Sequence, residues 1–450
     1  MSSPPPPARQ GSLRDRNLAL VLELIAQAPA PLSRAALAAR TGLTRATASA
    51  LADSLLALGL IEEVGPPPAA GAGRPAAGLV PAGSGPAGLG LELNVDYLAA
   101  CVLDQAGTVR RRELVHADLR GRAPGRVFAD LAALAHRVVR QAAGDGLDLA
   151  GVSVAVPGLV DPATGGILRA PNLGWRETDA RGLLAPLLPA APLPLRIGNE
   201  ADCAAEGELH LDAGRELADF LYLSGEIGIG AGIVLGRRVF PGPRGWGGEI
   251  GHATVRPGGE QCRCGAHGCL ETVAGQEAIL RAAGAAAGIV AGSAAGTGLA
   301  ARGTAAGAGA GGLSAGGPSA GGLDASAEGA AGPAIESIAG LVDLAASGDA
   351  GVLAALTVVG TALGNTLATA VNLLDLGTVV LGGIYAPLAQ WLAPAIEAEL
   401  MGHVVSAAWA TPVVRTSRAG VGAAALGAAA SVVGRIQADP AGWAALRRQD

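Results

Sequence analysis

Residues 262–269 read Cys-Arg-Cys-Gly-Ala-His-Gly-Cys, and His252 lies ten residues ahead of them. A loop this short holds its three thiols within a few ångströms of one another, and in a reducing compartment such clustering favours a metal over disulfides. Three soft sulfurs and one imidazole make a tetrahedral zinc set. With all four positions filled by protein the ion is structural, because no coordination position stays open for a reacting water. The expected ligands are His252, Cys262, Cys264 and Cys269. His267 is the alternative fourth ligand, although its place inside the tight loop makes simultaneous geometry harder, and a group of free buried thiols is the alternative to any metal. Cys101 and Cys203 stand alone in the sequence.

At 450 residues the chain exceeds what one hydrophobic core usually covers, so two or three domains are expected. No run reads as the roughly 20 consecutive apolar residues of a membrane span. The Pro-rich, polar start lacks a secretory pattern. These features predict a cytoplasmic protein with no membrane partner. The net charge of −6 argues against general coating by nucleic acid. Residues 1–86 nevertheless carry seven arginines against five acidic residues, so any DNA contact is expected at that end.

The pattern along the chain predicts a disordered leader over 1–12, a DNA-binding head over 13–80, a linker over 81–87, an α/β domain over 88–435 and a tail over 436–450. In the head, Leu18, Val21, Leu22 and Ile25 form one stripe of a helix from about Leu13 to Ala28, which Pro29 and Pro31 end. Strands are expected at Leu89–Leu103, Gly151–Val156, Pro194–Ile197, Phe220–Leu223 and Thr378–Leu381, interleaved with helical stretches. Residues 284–333, almost wholly Ala, Gly and Ser, read as a disordered insertion, with an Ala-rich helix as the alternative.

Residues 32–64 carry the order of a winged helix-turn-helix. Ser33 can cap one helix, with Leu32 and Leu37 as its hydrophobic staple; Thr41-Gly42-Leu43 supplies the turn, and Thr44 caps the next helix. Ala48, Leu51, Leu55 and Leu58 share a face of that second helix, leaving Arg45, Ala46, Ser49 and Asp53 opposite. Arg45 can reach a guanine edge or a phosphate, Thr44 and Thr47 can bond phosphates at the helix N-terminus, and Ser49 lies on the same exposed face. Gly59 ends the helix. Leu60-Ile61 and Gly73-Arg74-Pro75 then fit the strand and tip of a wing, where Arg74 can enter a minor groove. A plain packing hairpin is the alternative.

Further blocks accompany the cysteine loop. Glu249-Ile250-Gly251-His252 and the Cys-x-Cys-Gly-x-x-Gly-Cys-Leu-Glu run ending at Glu271 resemble the ROK family of repressors and sugar kinases, as do Pro157–Asp161, Ala170–Trp175, Asn199–Asp202, Gly228–Gly232 and Val380–Gly383 in the same order. A winged helix-turn-helix with a Gly-Arg-Pro wing ahead of this domain resembles the family's sugar-responsive regulators. The resemblance implies two lobes of the actin and hexokinase type with sugar in the cleft. It also implies that Asn172, Asn199, Glu249, His252 and Glu271 contact sugar hydroxyls and that Glu200 stands where the kinases keep an aspartate. Carboxylates and amides converging in a cleft suit paired hydroxyls, which donate and accept together.

Three departures from the family pattern argue against phosphoryl transfer. The first phosphate loop, normally Asp, an apolar residue, Gly, Gly, Thr, here reads Glu92-Leu93-Asn94-Val95-Asp96 and has neither glycines nor hydroxyl. Glu226 and Ile227 replace the usual Gly and Thr of the second loop, and Glu200 replaces the aspartate. The expectation is a repressor that senses a sugar or sugar phosphate, binds operator DNA and works as a homodimer or homotetramer. The alternatives are an active sugar kinase with an accessory head, or a domain that docks a protein partner.

Overall fold

The computed structural model describes residues 10–65, 77–191, 193–212, 216–287 and 337–448. The head consists of helices Gln10–Ala26, Arg34–Thr41 and Arg45–Ala57 and an antiparallel ribbon of Ile61–Val64 with Gly78–Pro81. The first helix begins about three residues before the expected start and stops two before the expected end. All four residues of its predicted stripe are buried, packed with Leu37, Ala48, Leu51 and Leu55. Leu58 is only half-buried, and Ala52 takes a fully buried place that the face assignment missed.

Beyond the head, two five-stranded sheets repeat one plan. The first runs Arg196–Asn199, Leu147–Val156, Gly85–Leu93, Tyr97–Leu103, Val109–His116 across its width. The second runs Val413–Thr416, Thr378–Gly383, Phe220–Gly225, Ile229–Leu235, Arg238–Val239. In each, an antiparallel three-strand meander carries two further strands in parallel on its first strand. Such duplication is the two-lobed actin and hexokinase plan. Separate cores fill the lobes, around Phe128, Leu131 and Val154 in the first and Leu363, Leu367 and Leu388 in the second. The chain is therefore a winged helix-turn-helix followed by a two-lobed α/β domain.

The helix Ala423–Ala438 lies against the first sheet and the helix Glu200–Leu211, and glycine sets the separation. A Cβ on Gly427 would stand 1.7 Å from the Cys203 carbonyl oxygen, and one on Gly90 would stand 1.9 Å from the Ala425 carbonyl oxygen. Backbone meets backbone at both points, so no side chain can be accommodated without moving an element.

The structure differs from the expected boundaries in four places. Strands end at Pro81 and start again at Gly85, so the expected linker over 81–87 shrinks to three residues. Within the expected tail over 436–450, residues 436–446 are largely helical instead: Ile436 and Trp443, on helices Ala423–Ala438 and Pro440–Leu446, are buried in the head's own core. Apolar surface on both sides of that junction ties the end of the chain to its beginning. The first residues of the expected insertion finish the helix Gln276–Ala286, while 288–333 lie outside the described residues. Finally, Ala350–Leu374 is a 25-residue helix long and apolar enough to cross a membrane, contrary to the reading of the sequence. Its apolar side, including Val352, Leu356, Val359, Leu363 and Leu367, packs in the second lobe, and its exposed side carries Thr357, Asn365 and Thr369 together with Val358 and Leu373. It reads as a core helix.

Candidate functional site

The head presents its second helix through local chemistry. Ser33 Oγ accepts a hydrogen bond from the Ala36 amide at 3.1 Å, and Thr44 Oγ1 accepts one from the Thr47 amide at 3.1 Å, so both helices are capped by the residues that the sequence suggested. Gly42 adopts φ +70° in the turn between them, a conformation glycine takes without strain. Thr44, Arg45 and Thr47 are exposed, whereas Ser49 is half-buried. The Thr44 and Thr47 hydroxyls lie 2.9 Å apart and bond each other, and Arg45 has no ion-pair partner among the described residues. Asp53 differs from its assigned role on an open face: Arg34 bridges it at 2.5 Å and also pairs with Glu63. Arg74 lies outside the described residues, between the two ribbon strands.

The cysteine loop and His252 converge as the spacing suggests. The ligand atoms of His252, Cys262, Cys264 and Cys269 all lie within 4.8 Å of one another, and His267 is not part of the group. Cys262 Sγ is 3.8 Å from His252 Nδ1 and Cys264 Sγ is 3.7 Å from Cys269 Sγ. A tetrahedral ion with bonds of about 2.3 Å sets sulfur ligands about 3.8 Å apart, so the cluster fits such an ion. Gly268 makes the loop possible: at φ +70°, a Cβ there would meet the Arg256 carbonyl oxygen at 1.7 Å. Next to the cluster, His252 Nε2 is 3.8 Å from Glu249 Oε2, so one imidazole joins the cysteine cluster to the neighbouring cleft wall.

That cleft lies between the lobes. A cavity of about 170 Å³ is lined by Asn172, Asn199 and Glu200 from the first lobe and Glu249, His252 and Glu271 from the second. All six residues expected at a sugar site share one space. Their polar atoms are unequally free. Asn199 Oδ1 accepts from the Ala201 and Asp202 amides and its Nδ2 donates to the Gly158 carbonyl at 3.0 Å, so its side chain is engaged in capping the helix and fixing the loop. Asn172 Oδ1 accepts from Arg263 at 3.2 Å, and Glu271 Oε2 accepts from the Ile229 amide at 3.3 Å. Burial, with Glu92 and Glu249 nearby, pushes the Glu200 carboxyl up to about 8.

Beside this cavity, where the segments at Glu92 and Glu226 meet, a second, smaller space of about 10 Å³ is lined by Glu92, Tyr97, Glu200, Tyr222 and Glu226 among others. That is at the lower limit for one water. Glu92 is 3% exposed; it accepts from the Tyr97 hydroxyl at 2.5 Å and from the Ala425 amide at 2.9 Å, and so occupies the first turn of helix Ala423–Ala438. Burial raises Glu226 well above the usual carboxylate range, with Glu200, Glu92 and Asp96 adding to the shift.

Residues 88–434 match the sequence profile of the ROK family. The chain belongs to the ROK family. Residues 16–71 of its head match the profile of the MarR family. A xylose repressor from Caldicellulosiruptor bescii is 32% identical over 60% of this chain and 66% of its own length, so the chain spans just under two thirds of that relative. A glucokinase from Halalkalibacterium halodurans is 40% identical, but over only 30% of this chain and 41% of the enzyme. Among solved structures, a ROK family transcriptional regulator described as a homolog of the Escherichia coli MLC protein shares the fold with a TM-score of 0.71, at 24% identity over 95% of this chain and 97% of that one.

Within the ROK domain the sequence reading missed three cavity residues: Asn94, Arg169 and Glu226 also line the space. Glu226 was noticed as a departure from the second phosphate loop, yet that departure also signals a wall residue. Arg169 carried no signal, because its role depends on a contact across the lobes: its guanidinium donates to the Cys264 carbonyl at 2.7 Å.

Proposed function

We propose that this ROK protein is a sugar-responsive, DNA-binding repressor of carbohydrate genes whose kinase-like domain no longer transfers phosphate. The observation that carries this reading is the joining, in one chain, of an exposed capped helix in a winged head to an inter-lobe cavity of about 170 Å³ lined by the residues that the resemblance assigns to a sugar. The similarity to a xylose repressor supports it. Thr44, Arg45, Thr47, Ser49 and Arg74 would form the operator surface. Asn172, Glu200, Glu249, His252 and Glu271 would bind the sugar, with Asn199 holding the wall in place. His252, Cys262, Cys264 and Cys269 would hold a structural zinc ion, which supplies stiffness to the His252 side of the cleft and no open coordination position. The protein would act in the cytoplasm as a homodimer or homotetramer, since paired heads match paired half-sites.

Loss of kinase activity is supported by the small space beside the sugar cavity and by Glu92, whose carboxylate already satisfies the helix N-terminus. Glu92, Glu200 and Glu226 line that space and no cationic side chain among the described residues lines it with them, so nothing there compensates the charge of a triphosphate.

The head is tested by selecting duplexes from a random-sequence DNA library and comparing the wild type with Arg45→Ala by fluorescence anisotropy. The variant should bind the selected duplex about 10-fold to 100-fold more weakly while melting at the wild-type temperature. Equal binding by both proteins would remove Arg45 from the interface, and failure to select any duplex would refute DNA binding.

A further inference from the structure

We infer that the state of the cleft reaches the head through one helix, Glu200–Leu211, which moves with the second lobe while the head stays seated on the first, and that the His210 contact to the Gly107 carbonyl is the latch between the two bodies. This rests on the sugar-sensor reading above and names the route by which that site is read out.

The head is seated on the first lobe at several points. The Ala82 amide donates to the Leu60 carbonyl at 3.1 Å, and Arg110 of the first sheet donates to the Gly83 carbonyl, so the short connection is pinned on both sides. Ala150 of the first sheet lies in the head's core, and Ile436 and Trp443 enter the same core from helices Ala423–Ala438 and Pro440–Leu446. Ala423–Ala438 is in turn set on the first sheet by backbone contact. A Cβ on Gly88 would stand 2.6 Å from the Ala429 carbonyl oxygen, and the Ala425 amide donates to Glu92 at 2.9 Å. Close-packed surfaces of this kind transmit displacement instead of absorbing it.

Helix Glu200–Leu211 is attached differently. It follows a strand of the first sheet, yet the second lobe holds it near both ends. Near its start, a Cβ on Gly232 would stand 2.6 Å from the Ala201 carbonyl oxygen. Near its end, Arg237 donates to the Leu209 carbonyl at 3.3 Å and to Asp212 at 2.7 Å, and Glu208 accepts from the Ser417 hydroxyl at 2.7 Å. Against Ala423–Ala438 it meets backbone with backbone at Gly207 and Gly427, with no side chains interlocked at those two points, which is the kind of surface along which packed helices shear.

The two ends of this helix face different spaces. Glu200 lines the inter-lobe cavity, whereas Leu209 and His210 line a groove of about 800 Å³ whose opposite wall is formed by Glu23, Gln27 and Pro29 of the head. Across that groove His210 Nε2 donates to the Gly107 carbonyl at 2.8 Å, in the turn between strands Tyr97–Leu103 and Val109–His116 of the first sheet. A ligand that draws the lobes together carries His210 away from its seat at Gly107 and shifts the groove wall facing Glu23–Pro29. That segment leads into helix Arg34–Thr41, which sets the position of Thr44 and Arg45. His210 is therefore a positioning residue: it touches neither sugar nor DNA, and it holds the helix in one of two placements.

Hydrogen–deuterium exchange of the full-length, metal-loaded protein tests this, with and without whichever of xylose, glucose and N-acetylglucosamine saturates it by calorimetry. Beyond the cleft, amides in 23–30, 105–110 and 207–212 should change their exchange rates by about 3-fold or more, while those in 60–64 and 436–443 keep theirs. His210→Ala without sugar should already exchange at 105–110 like the sugar-bound wild type. It should bind the sugar at least as tightly as the wild type, and its sugar-dependent shift in affinity for a selected duplex should be about 3-fold smaller. His210→Gln, which can still donate to the Gly107 carbonyl, should restore wild-type behaviour. Exchange that changes only around the cleft, changes at 436–443 in place of the groove, or a His210→Ala protein with wild-type exchange and a wild-type shift would each overturn the inference and leave the sugar-sensor reading intact. If none of the sugars binds, the sensor reading itself fails, and this inference fails with it.

Discussion

Cys269→Ser is expected to strip the protein of its metal and to lower its melting temperature by about 10 °C or more. Cys269 is fully buried, its sulfur 3.7 Å from Cys264 Sγ, in a loop that has almost no apolar side chains of its own to hold it closed. Without the ion, the loop must keep several thiols and one imidazole together on hydrogen bonds alone. The effect reaches the cleft, because the Arg169 contact to the Cys264 carbonyl and the orientation of His252 both depend on the loop. Metal content by mass spectrometry and melting with and without a chelator check the claim. Wild-type protein should contain one zinc per chain and lose stability on chelation; the variant should contain none and ignore the chelator. His252→Ala should lose metal while His267→Ala keeps it. Wild-type protein free of metal and indifferent to chelator would reduce the cluster to a set of buried thiols.

Gly427→Ala should destabilise the first lobe by about 3 kcal/mol or more, lowering the melting temperature by roughly 10 °C, although alanine is the better helix former. The added methyl would lie 1.7 Å from the Cys203 carbonyl oxygen and force apart the helices Ala423–Ala438 and Glu200–Leu211. The second of these opens with Glu200 at the cleft, so the displacement should also weaken sugar binding. Gly434, on the same helix, provides the control: nothing lies within 4 Å of a Cβ there, and Gly434→Ala should raise stability by up to about 1 kcal/mol. Thermal melts of both variants decide the matter; two similar small effects would show that the close approach does not set the packing.

Local chemistry was readable in advance, and long-range packing was not. Ser33, Thr44 and the turn at Gly42 announce themselves because a cap and its partner lie within three residues. The cysteine loop is legible for the same reason, its spacing leaving little choice of geometry. Asn199 shows the limit of residue type as a guide: the amide that marks a sugar site by resemblance is engaged in capping a helix. The apparent tail was misjudged because residues 436–450 hold only three large apolar side chains, Ile436, Trp443 and Leu446, and nothing local signals that Ile436 and Trp443 insert into the core of a domain far earlier in the chain. The glycine contacts of Ala423–Ala438 were invisible too. A helix made largely of Ala and Gly has little periodic contrast, and its packing rests on the absence of side chains.

The central claim is that one ligand event in the cleft alters DNA binding by the head. The direct measurement is the dissociation constant for a selected DNA duplex, by fluorescence anisotropy at fixed salt, with and without a saturating free sugar that binds the protein. A shift of about 5-fold to 150-fold is predicted, with no shift for a sugar that does not bind. An unchanged constant, with the cleft shown to be saturated by calorimetry in the same buffer, would contradict the account.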